Sequence, residues 1–335
     1  MERHEHPYRG AMRSFVTLPL SMYVAVCALT FTRMAEGQAW TERKGEGSVS
    51  LVYQALTIHD HTLFDGSEVD FGKIHTHGLY LQFDYGFTDR LGFQFAVPYI
   101  GSKYLGSRPH LPGILNVPNA DAELIDDGEF HTSLQDFGAG VQYGLTTGAF
   151  RVTPFVAFSV PSQDYTFFGH SAVGTHLTTL RFGVDVGQIL DPWIPNTYFQ
   201  ARYSYGIPEE VLGVRVVHSD LNWDVGYFLT SRLSLKFLGF THFSHSGLDF
   251  PVDFPSRTDE AFYHHDQTLA VRHVDLGGGF SFAAAEAWDI HASIITSPWA
   301  QNNHKIRQGI TFGVTWYFRT RRAAPLTEEE ELSPR

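Results

Sequence analysis

Three groups of residues in this chain have the types and spacing to do chemistry. The first is a series of six charges, Arg151, Asp185, Arg202, Asp224, Lys236 and Asp275, one on each of six consecutive alternating segments. Each charge falls in step with small or polar residues and out of step with large apolar ones. The signs alternate, and folding the chain at each turn is expected to bring Arg151 near Asp185, Arg202 near Asp224, Asp224 near Lys236, and Lys236 near Asp275. Such a band either satisfies itself as a ladder of ion pairs or selects solutes by fixed charge. The second group is His59, His61, His75 and His77. Residues two apart share one strand face, and two such pairs across a hairpin supply imidazoles for Zn²⁺ or Cu²⁺, with Asp60 and Asp70 close by. The bland reading is that they decorate a wet surface. The third is His242-Phe243-Ser244, a base beside a hydroxyl nucleophile, the minimum for acyl transfer. No motif calls for a cofactor.

All three groups depend on strands to place them. In 308–318, Ile310, Phe312, Val314, Trp316 and Phe318 alternate with Gly309, Thr311, Gly313, Thr315 and Tyr317. One face is large and apolar, and the other is small or polar. The same alternation recurs in segments 46–59, 75–87, 91–99, 134–145, 150–160, 177–189, 197–207, 220–229, 233–243, 267–282 and 288–296. These make twelve strands whose connections are expected to alternate long and short along the chain. Alternation of that kind predicts an all-β fold, a transmembrane antiparallel up-and-down barrel with long loops at one end and short turns at the other. Pro98, Pro161, Pro208 and Pro298 are expected to end strands at the loop rim, and Pro154 to mark a bulge. The last strand is expected to pair with the first. Loop 101–133 is the expected candidate for folding inward.

Before residue 40 the pattern is different. Arg9 and Arg13 precede an apolar run from Phe15 to Phe31, and Gly37-Gln38-Ala39 places small residues where a leader would be cut. The expected organisation is therefore a signal peptide over 1–39, a barrel over 40–318 and a disordered tail over 319–335. Cys27, the one cysteine, lies in the leader, so the rest has neither disulfides nor thiolate metal sites. Past residue 39 the chain has 20 basic and 33 acidic residues, which argues against nucleic acid as a partner.

Tyr85-Gly-Phe-Thr-Asp-Arg-Leu91, Tyr143-Gly-Leu-Thr-Thr-Gly-Ala149 and Tyr227-Phe-Leu-Thr-Ser-Arg-Leu233 repeat one pattern at three short turns. The stretch YGFTDRLGFQFAVPYI, with LQDFGAGVQYGL after it, resembles a family of outer-membrane proteins associated with the meta pathway of phenol degradation, often called transporters. The resemblance covers strands two to five and supplies hairpin motifs, with no site residues to carry over. It implies a channel or passive transporter for small molecules, aromatic or hydrophobic ones included, in the outer membrane of a Gram-negative-type bacterium. The final strand resembles the closing strand of outer-membrane barrels, which ends in Phe. Its expected partners are outer-membrane lipid and the barrel-assembly machinery, with a small-molecule solute in the lumen. His242 and Ser244 resemble the His-x-Ser pair of outer-membrane phospholipases and lipid A deacylases. Two departures stand out: here the pair falls on the lumen side, and His245 replaces the Asn that follows the Ser in those enzymes.

Overall fold

The computed structural model describes residues 39–106, 125–256 and 258–320. The expected leader, most of the tail beyond Arg319 and the middle of loop 101–133 lie outside the described residues. Thirteen strands run in order: β1 (Glu46–Thr62), β2 (Glu68–Gly86), β3 (Leu91–Leu105), β4 (His131–Leu134), β5 (Asp136–Tyr143), β6 (Phe150–Pro161), β7 (Thr179–Ile189), β8 (Thr197–Pro208), β9 (His218–Phe228), β10 (Leu233–Ser244), β11 (Arg272–Ala285), β12 (Trp288–Gln301) and β13 (Asn303–Arg319). β4 and β5 both pair with β3 and form one stave, broken at Gln135. Every stave runs antiparallel to its neighbours, and β13 returns to β1 with Glu46 opposite Arg319 and Thr57 opposite Gln308. The fold is a closed barrel of twelve staves.

Alternation sets the two faces. Leu51, Tyr53, Leu79, Leu81, Phe158, Phe182, Leu235, Phe237, Ile310, Phe312 and Trp316 point outward and are exposed. Their strand neighbours Ser48, Ser50, Thr76, Gln82, Gln142, Gln200, Ser234, Thr311 and Thr315 point inward and are buried. An apolar exterior around a polar interior inverts the soluble pattern and matches a barrel wall with lipid outside. No helix among the described residues is long and apolar enough to cross a membrane.

Several local expectations change. Pro154 sits in unbroken register opposite Val184, without a bulge. Two residues earlier, Val152 turns its amide to Thr146 Oγ1 and its carbonyl to the Leu145 amide. Pro154 faces that same side, where the β5–β6 ladder has already stopped at Gln142–Phe155, so no donor is missed. Pro161 and Pro208 do end strands, but Pro98 and Pro298 lie inside β3 and β12. Pro98 sits opposite the break at Gln135, and Pro298 at a shift in the β11–β12 register beyond the last β12–β13 pair. Residues 267 and 268, read as strand, belong to a helical turn instead: the loop before β11 holds two short helices, α1 (Glu260–Tyr263) and α2 (His265–Thr268). Two expected long loops are short because their strands continue past the rim. Residues 63–67 alone join β1 to β2, and Asn302 alone joins β12 to β13.

Candidate permeation path

At the turn end of the barrel, residues 39–45 cross the mouth as a strap. Thr153 Oγ1 of β6 donates to the Ala39 carbonyl at 2.8 Å. Glycine at 187 on β7 makes room, since a Cβ there would lie 2.5 Å from the Ala39 methyl and 2.7 Å from the Trp40 ring. At the other side of the mouth Lys44 bridges to Gly86, and the Gly45 amide donates to the Gly86 carbonyl at 2.9 Å. Glu42 is buried in this strap, and its Oε1 has no hydrogen-bond partner among the described residues. Burial, reinforced by Asp84 and Glu46, pushes its carboxyl up to about 8.

Above the strap all six charges of the predicted band face inward, five of them buried and Arg151 half-buried near the turns. They do not form one belt. Arg202 and Asp185 stand directly opposite in register and make a bidentate pair at 2.6 and 2.7 Å. That pairing is absent from the expected set. Arg202 also donates to Gln94 Oε1 of β3 at 3.2 Å, several staves away, and stacks over the Phe155 ring. Asp224 accepts from Gln200 at 2.7 Å and interacts with Lys236 one diagonal step away, as expected. Arg151 and Asp185, and Arg202 and Asp224, stand at the same diagonal step, Arg151 opposite Gly187 and Arg202 opposite Asn222, whereas Lys236, opposite Gly279, is four residues out of step with Asp275. Asp275 instead accepts from Ser297 at 2.6 Å and lies 3.2 Å from His273 Nδ1.

Toward the loop end the inner wall divides: on β7, β9, β10 and β11 it carries the buried Arg181, His218, Asp220, His242, His273 and Asp275, and beside them it turns apolar. Val52, Leu56, Ile58, Ile74, Ile100, Tyr104, Leu238, Phe240, Ile295 and Ile306 form one buried cluster, into which Tyr165 and Val173 descend from loop 162–178. Among the described residues the inserted segment is this loop; residues 107–124, within the loop expected to fold inward, lie outside them. In loop 101–133, Asp126 accepts from the amides of His170 and Ser171 and so braces it. Over the chamber, Phe168 packs with Phe254, Phe262 and Leu269 of loop 245–271 as an apolar lid. Between lid and strand ends lies a cavity of about 60 Å³ touched by His61, His170, His273 and His304.

The four histidines of the first hairpin are not brought together. His59, His75 and His77 share the outer face, but they pair with Lys73, Thr57 and Ala55. His77 stacks on Tyr53 and bonds its hydroxyl. A bulge at Asp60, with φ of 53°, turns His61 inward against Phe250 and His304.

His242 and Ser244 do come together, on the lumen side as read. His242 Nε2 is 3.3 Å from Ser244 Oγ, and its Nδ1 is 2.7 Å from Asp220 Oδ1. Base and orienting carboxylate are thus in place beside the hydroxyl. The two amides of the pair are already taken, that of Ser244 by the Val271 carbonyl and that of His245 by the Val217 carbonyl, so neither can hold an oxyanion. Asp220 and His218 were missed in the sequence, although a signal was there. His218 and Ser244, and likewise Asp220 and His242, lie at equal distances either side of Ser231 at the centre of a short turn, which predicts both pairings.

A closed barrel with an apolar outer band, polar charge pairs inside, a strap at one end and a lid at the other is the architecture of outer-membrane-type barrels. Among solved structures, an outer membrane channel from Pseudomonas putida F1 is similar with a TM-score of 0.63, at 13% identity over 84% of this chain and 98% of that one. The NanC porin is similar with a TM-score of 0.45, at 11% identity over 81% and 98%, too distant to argue from. At such identities the likeness is one of fold. No family model matches the chain, and no curated protein matches it. Of the resemblance to the phenol meta-pathway family, these likenesses support the barrel.

Proposed function

We propose that the chain is an outer-membrane channel or passive transporter for small molecules, with apolar and aromatic ones favoured. The observation that carries this reading is the buried apolar cluster that lines one side of the lumen beneath an apolar lid, above the ion pairs and amides nearer the turns. An apolar compound gains from burial in that chamber, about 25 cal/mol for each Å² removed from water, and a sugar does not. Outer-membrane lipid would cover the exposed apolar band, the assembly machinery would engage β13, and the loops would face outward. The test is uptake of phenol and of a hexose into liposomes holding folded protein. Phenol flux above that of protein-free vesicles and above the hexose supports the reading. Phenol flux equal to that of empty vesicles, with no ion conductance in planar bilayers, removes it.

A further inference from the structure

We propose that His218, Asp220 and His242 form a binding site for one divalent first-row transition metal, of the Zn²⁺ or Cu²⁺ class, on the lumen wall beneath the lid. Among the described residues they are the one group of three potential ligands whose donor atoms all lie within 4.8 Å of one another. The strands deliver them by register. His218 and Asp220 are two apart on β9 and share the inner face, and His242 of β10 stands directly opposite Asp220. All three are buried, so their positions are set by packing.

His218 is turned to offer a nitrogen to a cation, while His242 is held in place by Asp220 and Ser244. His218 Nδ1 is 3.2 Å from the Val216 carbonyl, which only an N–H can satisfy, so that nitrogen holds the proton. Nε2 then presents its lone pair, and it faces Asp220 Oδ2 at 3.8 Å. A cation shared by the two, a proton on the imidazole or a metal ion, is what this approach accommodates. Glycine at 206 keeps the space beside Nε2 clear, because a Cβ there would come within 2.2 Å of it. The second carboxylate oxygen, Oδ1, meets His242 Nδ1 at 2.7 Å. Two donors bound at about 2.1 Å to a tetrahedral ion stand roughly 3.4 Å apart. The observed 2.7 and 3.8 Å bracket that separation, so small side-chain rotations suffice.

The surroundings resemble a supporting shell. His273 stacks on His242 with ring centres 5.6 Å apart, and it is held by Asp275, which Ser297 holds in turn. Ser244 Oγ, 3.3 Å from the His242 ring, offers an oxygen at the rim of the site. The cation facing the cluster is Arg181, whose guanidinium is tied to Ser159 Oγ at 3.1 Å. Two imidazoles and a carboxylate give a donor set for zinc, copper or nickel rather than for calcium or magnesium, which favour oxygen. A bound ion would clip β9 to β10 and place a positive charge on the wall below the lid.

Zn²⁺ titration of the full folded chain in detergent, followed by calorimetry, tests the assignment, with Mg²⁺ as control. One Zn²⁺ per chain is expected, with affinity falling tenfold or more in both His242→Ala and Asp220→Asn. Ser244→Ala is expected to bind Zn²⁺ as the unaltered chain does. Asp220→Asn keeps shape and hydrogen bonding if His242→Ala does not fold, and heat-dependent gel mobility reports folding. A Cu²⁺-loaded sample is expected to show two coupled nitrogens by electron paramagnetic resonance, lost in His242→Ala. Binding of equal strength in Asp220→Asn and the unaltered chain, or no Zn²⁺ binding by the folded unaltered chain, would overturn the site.

Discussion

The pair of Asp185 and Arg202 shows how much a single contact can depend on its partner. Asp185 is wholly buried, and its carboxylate is satisfied by the fork of Arg202. Removing the arginine leaves a buried charge in the lumen wall, a change that costs about 3–5 kcal/mol where such pairs have been broken. Arg202→Ala is therefore expected to lower barrel stability by that order in urea-unfolding measurements. The double replacement Asp185→Leu with Arg202→Met is expected to cost much less, because no charge is left behind. Equal losses in the two variants would show that the pair matters through packing alone. The alternation of the sequence placed every one of the six charges on the inner face. It did not reveal which faces which, because a shift of two residues between strands keeps the face and changes the partner. That is why Arg202 meets Asp185 where Asp224 was expected.

At the scale of elements, the strap over residues 39–45 is the part the sequence hid most completely. It has no alternation and no motif, and it is held by small residues on the wall, Gly187 and Gly86, whose value appears only when the backbone passes over them. The prolines teach the same lesson from the other side. Pro98 and Pro298 read as strand ends and Pro154 as a bulge within a strand, yet all three lie in continuous strands where one neighbour has left the ladder. The strand positions themselves were legible because their faces differ so strongly in size and polarity. The strap also carries the chain's clearest dependence on pH. Glu42 ionises near its ordinary 4.5 in water and near 8 when docked beside Asp84 and Glu46. A carboxyl with a raised value favours the docked state only while protonated. Docking is thus firmest below about pH 4.5, weakens as pH climbs to about 8 and changes little above that. Ion conductance in planar bilayers is expected to rise between about pH 5 and pH 8.5, following that loss of docking. Glu42→Gln is expected to flatten the profile at its low-pH level, and Gly187→Val to raise conductance at every pH by expelling the strap. An unchanged profile in Glu42→Gln would assign the pH response to other groups.

For the whole molecule, two separate sets of forces hold the barrel and its cover. The barrel closes through β1 and β13 by a continuous backbone ladder, and its apolar band needs only lipid. The lid is held by side chains: Phe168 meets Phe262 edge-to-face with centres 6.0 Å apart, and Phe254 and Leu269 complete the cluster. Asn302, from the tight β12–β13 turn, ties loop 245–271 to the rim by accepting from the Phe250 amide and donating to Asp249. Truncating a buried aromatic costs about 3–5 kcal/mol of the packing it belongs to. In Phe168→Ala with Phe262→Ala that loss falls on the two loops, since neither residue contributes to the ladder. Loop opening should therefore become more frequent while the barrel stays intact. The double variant is expected to keep the heat-dependent gel mobility and urea midpoint of the unaltered protein while passing phenol into liposomes several-fold faster. A parallel fall in urea midpoint would mean that lid and barrel unfold together. Unchanged flux with unchanged stability would mean that solutes do not cross beneath the lid, and the apolar chamber would then have to fill from another side.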